Sequence, residues 1–193
     1  MTTNVMEKPA KTAMNGVDVP TLLATIGAVK GARELAKFTF RAKGNWVNGT
    51  HSRVGVKDYF GAGGEQQRTQ TLTVDAAHTT VLCGTDKGPT PPELLLMALS
   101  ACITAGIGNI ASARQIEINS IEAHVEGDID VQGILGLDDQ VRNGFNDIRA
   151  TFAISGNASD EQLRAIVEQS IARSAVYDML TNGAPVNIMT TIA

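Results

Sequence analysis

The stretch LLLMALSACITAGIGNIASA, from Leu94 to Ala113, decides the fold of this protein. It contains no charged residue, and as a helix it would be apolar on nearly every side. Because such a helix has to be covered all round, one sheet cannot bury it. Its other side needs a second helix or a second subunit. We therefore predict a homodimer in which this helix lies close to its symmetry mate.

The same stretch reaches the length of about 20 residues at which a helix can span a bilayer. Small residues also recur at every fourth position, where another backbone could approach closely: Ser100, Thr104, Gly108 and Ser112. Lipid-spanning helices pack through small residues as well. A lone span would, however, leave the amphipathic segments around it without a core. We therefore predict the buried central helix of a globular protein, and no membrane as a partner.

The residues Thr90-Pro91-Pro92-Glu93 mark the start of this helix. They place a hydroxyl at the cap, proline in the first turn, and a carboxylate three positions on that can reach back to the cap. We predict that Glu93 caps the helix, a role worth about 1 kcal/mol. That role does not exclude a second one in chemistry.

The segments on both sides of the central helix alternate apolar and polar residues, as half-buried strands do. Asn48-Gly49 is a hairpin signal between two of them. Ser159 and Gln162 then form a capping box for a further helix. The predicted strands are 38–47, 52–60 and 70–76 before the helix, the run from 119 and 147–155 after it, and APVNIMTTIA as a possible last strand. Strands, helix and strands without a regular βαβ repeat indicate the α+β class.

The front of the chain differs from the rest. Residues 1–16 have the composition of a loose tail, and the segment from Pro20 has helical apolar spacing. We therefore predict an N-terminal tail and added amphipathic helix over 1–37, followed by the main domain over 38–193. This agrees with the length of 193 residues, which is typical of one domain plus an appendage.

Composition excludes several function classes. The net charge is -4 and aromatic residues make up 4% of the chain, so nucleic acid is not expected as a partner. The first residues contain no apolar run of signal-peptide length, and two cysteines suit a reducing compartment. We predict a cytoplasmic protein. The three histidines stand far apart and no metal or phosphate motif occurs, since GAGG at 61–64 is typical of a plain turn, so we predict no metal and no cofactor.

Cys102 lies in the middle of the central helix, where a free cysteine is most often a small core residue. To be reactive it would need a nearby cation and an opening to solvent. The sequence does not rank the candidate cations, which are Arg41, Arg53, Arg114, His51 and His124. Cys83 precedes the loop GTDKGPT, and is either a partner for Cys102 or an incidental surface thiol.

Two long segments carry a family resemblance. GTDKGPTPPELLLMALSACITAGIGNIASARQIEI (84–118) and VEGDIDVQGILGLDDQVRNGFNDIRATFAI (125–154) resemble the OsmC/Ohr family, and the likeness extends over about 38–188. The resemblance implies an α+β fold in which antiparallel sheets wrap around buried central helices. It also implies an intertwined homodimer with its sites at the subunit interface. The domain over 38–193 is accordingly predicted to be OsmC-like.

The resemblance also implies a chemistry. Members of the family reduce organic hydroperoxides with two cysteines, and an arginine fixed by a glutamate stabilises the first thiolate. Cys102 matches the first cysteine and Glu93 the glutamate. The family's arginine has no close match in this sequence; Arg53 is the first candidate for it and Arg41 the second. Glu93 precedes Cys102 by nine positions, which on an ideal helix is the opposite face.

The family's second cysteine is absent, because the matching element here is Arg173-Ser174-Ala175-Val176. We therefore predict a one-cysteine hydroperoxide reductase that acts on organic hydroperoxides with an external thiol reductant, unless Cys83 replaces the missing cysteine. The alternative is a non-catalytic OsmC-like dimer that binds a small hydrophobic ligand at the subunit interface. A purely structural role is a third possibility.

Overall fold

The apolar stretch forms the longest helix of the chain, α2 (Pro91–Arg114), as predicted. The structure is a computed structural model that describes residues 12–192, so most of the predicted N-terminal tail lies outside the described residues. The chain divides into two compact units. The first contains Asp18–Leu96, and the second contains Met14–Val17 together with residues 97–192. The predicted boundary between residues 37 and 38 stays a prediction.

The first unit begins with the predicted front helix, α1 (Val19–Gly31), which is followed by a 3-10 turn at Arg33–Ala36. Asp18 caps α1, because its carboxylate accepts the N–H of Thr21 at 3.1 Å. The strands of this unit are all antiparallel. They are β1 (Ala42–Asn48), β2 (His51–Val56), β3 (Tyr59–Gly61), β4 (Gly64–Gln66) and β5 (Leu72–Ala76).

Three of these strands form a sheet in the order β1-β2-β5, with the predicted hairpin between β1 and β2. Ser52 stands opposite both Trp46 and Ala76, and Val54 opposite Val74, so one face of the sheet is apolar. Trp46 is 72% exposed and Val74 is 42% exposed. The single chain therefore leaves this apolar face largely uncovered.

The Gly-rich segment after β3 is a turn, as predicted. Ala62 and Gly63 join β3 to β4 with φ values of 50° and 82°, the left-handed conformation that two-residue hairpin loops require. A second 3-10 turn, Thr80–Leu82, precedes the loop that leads into α2.

The second unit contains the rest of α2, β6 (Ile118–Asp128), a single helical turn α3 (Val131–Ile134), β7 (Asp147–Gly156), α4 (Asp160–Ala172) and α5 (Ala175–Asn182). β6 and β7 pair antiparallel over nearly their whole length. The predicted capping box of α4 is present, since the side chains of Ser159 and Gln162 each accept the backbone N–H of the other. Helices and antiparallel sheets together confirm the α+β class.

The core of the second unit is a stripe along α2. Its buried members repeat every four residues, at Leu99, Ile103, Ile107 and Ala111. Ile166 of α4 completes the cluster. Around it pack apolar side chains of β6, β7 and α5, which include Ile121, Val125, Phe152, Ile154, Val176 and Leu180. The named strand residues on β6, and likewise those on β7, are separated by two or four positions, as the period of two requires.

The expectation of a last strand at the C-terminal end is wrong. APVNIMTTIA does not close a sheet, because residues 183–192 form no strand and their apolar side chains Val186, Ile188 and Met189 are at least 78% exposed. In the single chain no strand edge pairs with them. Of the predicted N-terminal tail, the structure describes only residues 12–16, and Asn15 there makes two hydrogen bonds. Asn15 donates to Ser112 Oγ at 3.2 Å and to the carbonyl of Ile116 at 2.9 Å.

The close approach of α4 to α2 gives a test of the core. A Cβ at Gly106 would lie 2.2 Å from Ser170 Oγ, whose hydroxyl donates to the carbonyl of Ile103 at 2.7 Å, whereas a Cβ at Gly108 would meet nothing within 4 Å. Gly106→Ala and Gly108→Ala gain the same helix propensity, so their difference isolates the clash. We expect Gly106→Ala to be less stable than Gly108→Ala by about 1–3 kcal/mol in urea unfolding. Equal midpoints would contradict this packing.

Candidate functional site

Cys102 lies against the first turn of α5. Ser174 is the N-cap of that helix, and its hydroxyl donates a hydrogen bond to Cys102 Sγ at 3.1 Å. The same oxygen accepts the backbone N–H of Tyr177 at 3.1 Å. Cys102 is half-buried, whereas Ser174 is only 4% exposed. The thiol is thus placed at the positive end of a helix other than its own.

The sequence around α5 explains this placement. α4 ends at Ala172, and after one intervening residue Ser174 supplies the side-chain oxygen that starts a new helix. Val176 and Leu180 are four positions apart on α5, and both pack against the core cluster that contains Ile103. Since Cys102 precedes Ile103 on α2, the packing of α5 on this core brings its first turn to the sulfur.

The electrostatics of the site favour the thiolate. Partial burial raises the pKa of the Cys102 thiol, but the hydroxyl of Ser174 and the backbone N–H groups of Val176 and Ala175 outweigh burial and hold this pKa below its ordinary value. Hydrogen bonds to the charged form and a helix N-terminus both lower thiol pKa values. These donors therefore favour the nucleophilic form of the sulfur, the thiolate.

The placement of the N-terminus of α5 against Cys102 was not predicted from the sequence, where a cation beside Cys102 was expected. The donors that lower the thiol pKa are a hydroxyl and two backbone N–H groups. Cys102 gains nothing from the N-terminus of α2, but it does gain from the N-terminus of α5. The available signal was Ser174 directly before a short segment in which Val176 and Leu180 have helical spacing, which is typical of a capped helix.

Glu93 performs the predicted capping role. Its carboxylate accepts the N–H of Thr90 at 2.7 Å and the hydroxyl of Thr90 at 2.8 Å. These two hydrogen bonds, the backbone one first, lower the pKa of Glu93. Cys102 follows it nine positions later on α2, about 13 Å along the helix axis. The assignment of Glu93 to the Cys102 site stays a prediction.

Two of the candidate arginines, Arg53 and Arg41, are held by carboxylates within the first unit, whereas Arg114 at the end of α2 donates to the side-chain amide oxygen of Gln169. Arg53 on β2 stands opposite Asp75 on β5 and donates to its two oxygens at 3.0 and 3.2 Å. Arg41 forms a bidentate pair with Glu65 on β4, with both bonds at 2.8 Å. The Arg53 guanidinium, and after it the ring of His51, lowers the pKa of Asp75. The assignment of Arg53 to the Cys102 site stays a prediction.

Cys83 is an exposed thiol at the end of the 3-10 turn, in a left-handed conformation with φ 59°. Its proposed part as a second redox cysteine stays a prediction. Across residues 12–192, no group of three or more His, Cys, Asp or Glu side chains is placed to hold a metal ion.

One described helix, α2, is long and apolar enough by length and composition to cross a membrane. Of its most apolar stretch, 22% is buried within the single chain. The core helix of a soluble protein passes the same test, so this property alone is weak evidence for a span.

The comparisons with known proteins identify the class. Residues 84–189, more than half of the chain, match the family model of the OsmC-like proteins. The chain therefore belongs to the OsmC-like family, and the predicted resemblance is confirmed. Among curated proteins, no sequence matches this chain.

Solved structures share the fold. An OsmC-like protein from Mycoplasma pneumoniae is 20% identical with a TM-score of 0.52, and the match covers 76% of this chain and 88% of that one. An organic hydroperoxide resistance protein OsmC from Legionella pneumophila is 15% identical with a TM-score of 0.50, over 75% of this chain and 90% of that one. A third, an organic hydroperoxide resistance protein from Elizabethkingia anophelis, is 16% identical with a TM-score of 0.50, over 75% and 89%. At these identities the likeness concerns the fold.

The hydrogen-bond donors around Cys102 predict a thiol that loses its proton at a lower pH than a free cysteine does. In a Cys83→Ser background, only Cys102 can react with iodoacetamide. We expect the alkylation rate to rise with pH through a midpoint below about 8.5, the value of a free cysteine, because the hydrogen-bond donors stabilise the thiolate. A midpoint at or above that of a cysteine peptide measured in parallel would contradict this electrostatic assignment.

Proposed function

We propose that this protein is a thiol peroxidase that reduces organic hydroperoxides through Cys102 alone. The observation that carries the proposal is the sulfur of Cys102 at the first turn of α5, with the Ser174 hydroxyl 3.1 Å away. Membership of the OsmC-like family supports it. Two of the similar structures belong to proteins described as organic hydroperoxide resistance proteins.

The proposed cycle needs one cysteine and an external thiol. The Cys102 thiolate attacks the terminal oxygen of the hydroperoxide, so that an S–O bond forms, the O–O bond breaks and the leaving alkoxide takes up a proton. The sulfur is then a sulfenic acid. A reductant thiol displaces water and forms a mixed disulfide. A second reductant thiol releases Cys102 and leaves as the oxidised disulfide.

The serine at position 174 is the reason for proposing a cycle with one cysteine. A serine hydroxyl cannot form a disulfide, so resolution inside the site is not available to Ser174. Arg53 is kept as the proposed cation of the reaction and Glu93 as the proposed carboxylate. If Arg53 acts on the sulfur, the carboxylate of Asp75 would lie near the site as well, since the two side chains are paired.

Oxidation by a hydroperoxide tests the cycle directly. With one equivalent of cumene hydroperoxide, we expect wild-type Cys102 to gain one oxygen atom and to be trapped by dimedone in mass spectrometry. Cys102→Ser should show no such adduct, and Cys83→Ser should behave as wild type. An unmodified Cys102 would overturn the peroxidase and favour the alternative, a dimer that binds a small hydrophobic ligand. A bridge between Cys83 and Cys102 would overturn the one-cysteine form.

A gain-of-function variant tests the role of position 174. Because the serine oxygen lies 3.1 Å from the sulfur, a thiol at the same place would be close enough to react with it. We expect Ser174→Cys, treated in the same way, to lose the mass of two hydrogens and two free thiols, without a dimedone adduct. Persistence of the sulfenic acid in this variant would contradict the proposed geometry.

We also propose that the protein works as a homodimer. The side chains of Leu95 and Met97 on α2 are 40% and 56% exposed, although they belong to an apolar helix. The apolar face of the β1-β2-β5 sheet is likewise uncovered. Exposed apolar surface of this kind is typical of an interface between proteins. A second copy of the chain is the proposed partner, with the hydroperoxide and the reductant thiol as small-molecule partners.

Trp46 is the only tryptophan of the chain and lies on that apolar face, so it reports on the dimer. We expect its emission to move to the red when the protein is diluted into monomers. Val74→Asp should give monomers in sedimentation, because it places a charge on the apolar face. Thr73→Asp, on the opposite face of β5, should remain dimeric. A monomeric wild type at micromolar concentration would overturn the proposal.

A further inference from the structure

Three polar side chains are buried in the part of the chain that the structure describes: Ser112, Ser170 and Ser174. A buried hydroxyl costs free energy unless it is hydrogen-bonded. Ser112 and Ser170 each donate to a backbone carbonyl. Ser174 differs, because its hydroxyl donates to the sulfur of Cys102.

The direction of this hydroxyl is fixed from both sides. The oxygen of Ser174 accepts the N–H of Tyr177 at 3.1 Å as the cap of α5, which leaves its single hydrogen for the sulfur. A thiol accepts such a hydrogen bond weakly and a thiolate accepts it strongly. The contact therefore discriminates between the two protonation states of Cys102, which a purely structural cap would not do.

We infer that Ser174 is a positioning residue for Cys102: its hydroxyl holds the sulfur against the first turn of α5, where the N–H groups of Ala175 and Val176 also act on it. This inference rests on the proposed function in treating the Cys102 thiolate as the nucleophile. Ser174 cannot form a disulfide with Cys102, but in this inference it takes part in the reaction by holding the sulfur in place.

On α2 and around α5, no charged side chain next to Cys102 accounts for the stabilisation of its thiolate. The charged side chains nearest in sequence on the elements that meet here are Arg173 and Asp178, and both are exposed. Asp178 accepts the side-chain amide of Asn182 at 2.8 Å, and the ring of Tyr177 is 41% exposed. On α2 the neighbours of Cys102 are uncharged, from Leu94 to Ala113.

The test compares variants that separate the hydroxyl from the helix cap, all in the Cys83→Ser background. Ser174→Gly removes the hydroxyl but keeps a residue that starts helices at little cost. Ser174→Thr keeps the hydroxyl and should rescue the effect. Ser170→Ala, which removes another buried hydroxyl of the same unit, is the matched control. Circular dichroism establishes that each variant is folded.

We expect Ser174→Gly to raise the midpoint of the alkylation profile by about one pH unit, because a hydrogen bond to the charged sulfur is lost. Ser174→Thr and Ser170→Ala should keep the wild-type midpoint. A wild-type midpoint in folded Ser174→Gly would overturn the inference, as would an equal rise in Ser170→Ala. Should Ser174→Gly not fold, Ser174→Ala carries the same expectation.

The failure of this inference is distinguishable from the failure of the proposed function. If Ser174→Gly moves the midpoint while wild-type Cys102 is not oxidised by cumene hydroperoxide, Ser174 positions the thiol but the peroxidase proposal fails. If wild-type Cys102 is oxidised and Ser174→Gly leaves both the midpoint and the oxidation rate unchanged, the peroxidase stands and the positioning role fails.

Discussion

The contact of α5 with α2 is the interaction on which the surroundings of Cys102 depend. Val176 and Leu180 pack on the core stripe of α2, and this packing places the N-cap of α5 against Cys102. Without it, Cys102 would be one more small residue on an apolar helix, with a thiol that burial keeps protonated. The same apolar packing that stabilises the second unit therefore also places the donors that lower the pKa of the Cys102 thiol.

Within the second unit, the pKa of the Cys102 thiol is lowered by hydrogen-bond donors at the N-terminus of a helix. The N-terminal N–H groups of a helix have no partner within that helix, and they carry a partial positive charge. A serine cap adds a hydroxyl that can point to the sulfur because its oxygen is already committed to the helix. The Ser174 hydroxyl thus serves as the cap of α5 and as a hydrogen-bond donor to Cys102 at the same time.

Much of the fold follows from local patterns in the sequence. The strand alternation, the Asn48-Gly49 hairpin, the capping boxes at Thr90 and Ser159 and the length of α2 were all predicted, because each depends on residues close together in the chain. The final segment was predicted as a strand and is not one. A strand needs a partner edge, and a pattern of apolar residues does not supply one. The small-residue stripe of α2 likewise did not identify Gly106 as the point of close approach to Ser170.

The sequence by itself determined the α+β class, the apolar central helix with Glu93 as its cap, and the family. These are properties of composition, periodicity and residue identity. Only the tertiary structure decided what surrounds Cys102, since Ser174 lies 72 residues further along the chain. A lowered thiol pKa depends on the distance and direction of donors, and these are fixed by packing between helices that are remote in sequence.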